Sequence, residues 1–64
     1  MLQFTDLNDI LHVVHIRNVT HVQFRETQNN FVVSFHFIGG QYVVPATVNA
    51  ETASFIAEKL GELS

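Results

Sequence analysis

The chain has 64 residues, enough for one small domain that buries only about 60% of the surface its unfolded form exposes. It contains no cysteine, which excludes a disulfide, a thiolate zinc site and a cysteine nucleophile. Charged residues make up 14% and apolar residues 47%, the former well under the roughly 25% usual in soluble domains.

The net charge is −3, and its three cations, Arg17, Arg25 and Lys59, are scattered along the chain. They form neither the phosphate footprint of a nucleic-acid binder nor a polybasic membrane patch. The N-terminus lacks a basic region followed by an apolar run, and no stretch approaches the ~20 apolar residues of a span. A cytoplasmic protein is the expectation. With so few charges to coat its surface, part of the apolar excess is expected to meet another chain; the alternative is a packed monomer with an Asn/Gln/Thr surface.

In chain order, within residues 1–9, Leu2 and Phe4 read as an extended lead-in and Thr5-Asp6 as the start of a turn or brief helix near residues 5–9. Residues 10–17 carry two patterns. Leu7, Ile10, Leu11 and Val14 fit a helical stripe, whereas the β-branched run ILHVVHI suits a strand; the strand is the expectation. A turn at Arg17-Asn18 would put either Leu11, Val13 and His15 or Ile10, His12, Val14 and Ile16 inward, depending on its length.

Residues 19–27 alternate as a strand, with Thr20, Val22 and Phe24 on one face and His21, Gln23 and Arg25 on the other. A two-residue turn at Asn29-Asn30 would pair Phe24 with Phe35 and Val22 with Phe37. Residues 31–48 form the clearest element, FVVSFHFIGGQYVVPATV, a hairpin turning at Gly39-Gly40. Its expected register sets Ile38 against Gln41, Phe37 against Tyr42, Phe35 against Val44 and Val33 against Ala46. Pro45 belongs on an edge strand, because it has no amide hydrogen to donate.

Asn49 caps a helix over 49–63, with Glu51 in its first turn. Ala53, Ile56, Ala57, Leu60 and Leu63 make its apolar stripe, from which Phe55 is excluded. The fold class is therefore α+β: an antiparallel meander of three or four strands over residues 10–48, with a C-terminal amphipathic helix packed on one face. Residues 1–64 make one domain. A four-stranded sheet is about 19 Å across at ~4.8 Å per strand, and one helix about 10 Å wide. The helix covers about half of the aromatic face, so residues 1–9 or a second subunit must cover the remainder.

No catalytic pattern is present. Ser34, Thr47, Thr52 and Ser54 lack a nucleophile motif, and Gly39-Gly40 precedes no helix N-terminus that would cradle phosphate. The four histidines do not make a metal site. His12 and His15 point to opposite faces of a strand, and the Asn-Asn register leaves His21 and His36 diagonal, with His36 facing Gln23. Neither an enzyme nor a cofactor is expected.

The candidate interaction surface is the outer sheet face, amphipathic and charge-poor like an interface core. It consists of His21, Gln23, Arg25, Val32, Ser34, His36, Ile38 and Val43, joined by Phe55 on the helix. The competing reading is an ordinary β-branched solvent face. The expected function is a small interaction module (adaptor, regulator or inhibitor) that binds another protein and itself as a homo-oligomer. The alternative is an oligomer binding a nucleotide-like ligand between subunits, near His21, Arg25 and His36. No stretch carries a motif that assigns a family.

Overall fold

A computed structural model describes residues 1–40 and 43–63. The fold is α+β. It contains strands β1 (Leu2–Thr5), β2 (Leu11–Val14), β3 (Val19–Glu26), β4 (Phe31–Phe37) and β5 (Val43–Val48), followed by helix α1 (Ala50–Leu63). A single 3-10 turn, Ile16–Asn18, joins β2 to β3.

The meander has three strands, in the order β3-β4-β5. β4 and β5 pair as the alternation predicts, with Phe35 opposite Val44 and Val33 opposite Ala46. Gly39 and Gly40 both take positive φ, +95° and +63°, where a side chain would be strained. The expected pairs Ile38–Gln41 and Phe37–Tyr42, and the side chain of Leu63, lie outside the described residues.

The β3–β4 hairpin departs from expectation by two residues. Val22 faces Phe35 and Phe24 faces Val33, rather than Phe37 and Phe35. A two-residue Asn29-Asn30 turn needs positive φ at both central residues, and neither asparagine adopts it. Thr27 closes a longer loop instead. Its hydroxyl donates to the Asn30 carbonyl at 2.9 Å and accepts from the Asn30 amide at 3.2 Å, while the Thr27 amide donates to the same carbonyl at 2.8 Å. A shift of two leaves the side chains of residues 21–26 on their predicted faces, while a bulge at Thr20 turns Val19 inward in its place.

The larger correction concerns the N-terminus. Residues 2–5 extend as the lead-in reading has it and residues 7–9 form a turn rather than a helix, but β2 pairs with β1 instead of joining the meander. Phe4 faces His12 and Leu2 faces Val14. Val14 is buried and His12 and Ile16 are half-buried, while Leu11 and Val13 are exposed. That matches the second of the two expected phases, except that Ile10 is exposed.

This hairpin resolves the uncovered half of the aromatic face. Leu2, Phe4 and Val14 join Val33, Phe35, Ala46, Val48, Ala53 and Ile56 in one core, and Phe4 stacks on Phe35 at 5.8 Å between ring centroids. Within one chain, the N-terminal hairpin and the helix cover the β4–β5 part of the inner face. Of the two expected covers, residues 1–9 take this part of the face, with Leu2 and Phe4 in the core.

Helix α1 starts as predicted. The Asn49 side-chain oxygen accepts from the Thr52 amide at 2.8 Å, and the Asn49 carbonyl accepts from Ala53 at 2.9 Å. Ala53 and Ile56 are buried and Leu60 is half-buried, but Ala57 is exposed. The helix rests on β1 and β4, so its buried stripe is narrower than the apolar spacing implies.

Candidate interaction surface

Strand pairing assembles the outer face residue by residue. The β3–β4 pairs His21–His36, Gln23–Ser34 and Arg25–Val32 all point outward. Val43 joins them by facing His36 on β5. His21, Gln23, Arg25, Val32 and Ser34, with Phe24 at the rim, line a shallow hollow of about 580 Å³. On the central strand, Val32, Ser34 and His36 are half-buried by their neighbours; the β3 residues are exposed.

The shifted register corrects the expected histidine geometry. His21 and His36 are direct partners, their rings edge-on at 5.1 Å between centroids. His36 also reaches diagonally to Gln23, with Nε2 and Oε1 3.2 Å apart. A β-bulge at Thr20 precedes this pair, and the Thr20 hydroxyl donates to the His36 carbonyl at 3.3 Å. The surface thus presents two imidazoles and an amide in a partly fixed arrangement. No cluster of three or more His, Asp or Glu side chains converges among the described residues.

Two predicted residues lie elsewhere. Ile38, 67% exposed, borders a groove of about 570 Å³ shared with His12, Val13 and His15 at the mouth of the N-terminal hairpin. Phe55 lies on the helix beside Met1 and Gln3, with the Lys59 ammonium 5.8 Å from its ring centroid. The helix packs on the inner face, so Phe55 does not join the outer-face group.

One polar cluster was not foreseen. Asp6 is buried, and its Oδ2 lies 2.7 Å from His12 Nε2. Its Oδ1 accepts from the amides of Asn8 at 2.8 Å and Ile10 at 3.0 Å. The His12 bond, and then the two amides, hold the carboxyl below its usual pKa, against the upward push of burial. Phe4 stacks on the His12 ring at 4.9 Å. Asp9, at φ +62°, completes the turn, a conformation that aspartate tolerates better than most. The sequence offers one hint: an acidic residue beside a potential Leu2/Phe4 strand, with a histidine six residues on. Without the β1–β2 register that pair is invisible.

The arrangement can bind and position; the described hydroxyls do not join the histidines in a nucleophile–base pair. Among the described residues, no helix is long and apolar enough to cross a membrane. No protein family, curated protein or solved structure matches the chain.

Proposed function

We propose that this chain is a small cytoplasmic protein-interaction module that self-associates and acts by binding another protein, as an adaptor, regulator or inhibitor. One observation carries the reading: among the described outer-face residues of the meander, Arg25 alone bears a full charge. The remainder, from His21 and Gln23 through Val32, Ser34 and His36 to Val43, mixes apolar bodies with neutral polar tips. That composition is typical of a desolvated interface core, and sparse charge lowers the cost of covering it.

The test is partner capture from the native host by the chain and by Ser34→Glu, which sets an anion in the middle of the face. Specific capture by the parent chain, lost in the variant, supports the reading; equal capture by both overturns the assignment of this face. Self-association adds a second readout. Folding coupled to association makes the melting temperature rise with protein concentration, and a melting temperature independent of concentration would count against it.

A second reading rests on the hollow itself, where Phe24 and Arg25 adjoin His21 and Gln23. Such a rim suits a planar anionic ligand of nucleotide type held between subunits, by stacking and by charge. A thermal-shift screen separates the two, because a ligand bound only by the folded form raises the melting temperature by mass action.

A further inference from the structure

The two edges of the three-stranded sheet are not equivalent. On β5, Pro45 has no amide hydrogen, and the Thr47 carbonyl already accepts from the Leu7 amide at 2.9 Å. Both features face away from β4, so this edge is blunted. β3 is longer, contains no proline, and has no strand beyond it among the described residues.

The hydrogen-bond phase identifies which groups β3 leaves open. Thr27 donates to the Asn30 carbonyl across the loop, so residues 27 and 30 are a bonded pair. Bonded and non-bonded pairs alternate along an antiparallel ladder, which makes Arg25–Val32, Gln23–Ser34 and His21–His36 the bonded pairs. The amides and carbonyls of Val22, Phe24 and Glu26 therefore point to the free edge. The bulge at Thr20 ends this regular stretch on one side and Thr27 ends it on the other. Its midpoint is Phe24, which is 41% exposed.

We propose that a second copy of this chain occupies the β3 edge, two β3 strands pairing antiparallel about a two-fold axis at Phe24. The inference rests on the self-association part of the reading above and gives it a location. In this register Phe24 meets its own symmetry mate and Val22 meets Glu26 of the other copy, with two backbone bonds at each bonded pair. On the outer face Gln23 meets Arg25 of the second copy, and no like charges oppose one another. The alternative two-fold about Gln23 would set His21 against Arg25. An unrelated strand would find the same open amides but not this reciprocal match. The result is a six-stranded sheet (three strands from each copy) whose two outer hollows adjoin.

The test compares the mass and dimer affinity of the chain with those of Phe24→Lys, Gln23→Lys and Phe55→Lys, each checked for a cooperative melt. Phe24→Lys sets two cations face to face on the axis, and Gln23→Lys opposes Arg25. Each should weaken the dimer by about tenfold or more. Phe55, also 41% exposed but on the helix, is the matched control and should leave affinity unchanged. Amide exchange supplies a readout without mutation, since protection at Val22, Phe24 and Glu26 should grow with protein concentration. A dimer untouched by the Phe24 and Gln23 changes, or dissolved by Phe55→Lys alone, overturns the β3 assignment while leaving self-association standing. A parent chain that stays at monomer mass at micromolar concentration overturns both, without bearing on partner capture by the outer face.

Discussion

The N-terminal hairpin and the three-stranded sheet meet in one core but are held by different forces. The sheet has long strands, and its inner side supplies Val33, Phe35, Ala46 and Val48, all buried. Apolar area and an extended ladder suffice for it. The hairpin has two four-residue strands and exposes Leu11 and Val13 on its outer side. An isolated hairpin of that size is marginal at best. It is held by Leu2, Phe4 and Val14 in the core, and at its turn by Asp6, which gathers two amides and an imidazole. The difference teaches that a short element can substitute polar closure for area, and that it then inherits the chemistry of the group that closes it.

The largest effect should come from the apolar side of this comparison. Phe35 is 1% exposed, and Phe35→Ala should cost about 3–5 kcal/mol through lost burial and a residual cavity. Against a total stability of about 5 kcal/mol, the low end for small domains, the variant should be largely unfolded. A cooperative melt within a few degrees of the parent would refute the central place given to β4.

A smaller and more local effect is expected at Asp6. Asp6→Ala leaves the Asn8 and Ile10 amides and the His12 ring without their acceptor. Exchange should quicken first at residues 2–14, with the melting temperature falling less than for Phe35→Ala. Acid should reproduce this. The folded pKa of Asp6 is depressed, so its contribution is fully present above the unfolded value of about 3.9. It is lost as pH falls through the folded value. Below about pH 4 the hairpin should loosen in the parent and little further in Asp6→Ala. Equal acid sensitivity in both chains would assign the transition to other carboxylates.

The smallest effect sharpens the contrast, because Thr27 closes its loop much as Asp6 closes its turn, but in solvent. Water replaces the lost partner there, so Thr27→Ala should cost about 1 kcal/mol or less by chemical denaturation. A penalty matching that of Asp6→Ala would mean that burial is not what separates the two closures.

The same contrast governs what could be read in advance. The β4–β5 register was legible because Gly39-Gly40 marks the turn and the flanking aromatics alternate without interruption. The helix was legible from Asn49, Glu51 and the spacing of Ala53, Ile56 and Leu60. The β3–β4 register was missed by one pleat, since nothing local says that the Thr27 hydroxyl outcompetes an Asn-Asn turn. The N-terminal hairpin was opaque because residues 10–16 are apolar in both parities, so alternation selects no face. Its partner strand also came before it in the chain, not after. For the outer face, a register error of two residues cost nothing in facing, so His21, Gln23, Arg25, Ser34 and His36 assembled as expected. Only their pairing changed. Ile38, set on that face by alternation, lies just past the end of β4 beside the N-terminal hairpin, and Phe55 lies on the helix.

Pro45 and the Leu7–Thr47 bond have one more consequence, which concerns valence. A sheet with two open edges is a bifunctional monomer, and edge-to-edge addition then propagates into a fibre. With β5 blunted, the proposed β3 pairing would use the edge left open among the described residues, and growth would stop at a pair. The N-terminal hairpin would share in that stop, the Leu7 amide acting beside Pro45. Restoring a donor with Pro45→Thr while displacing that amide would convert a self-limiting unit into a polymerising one.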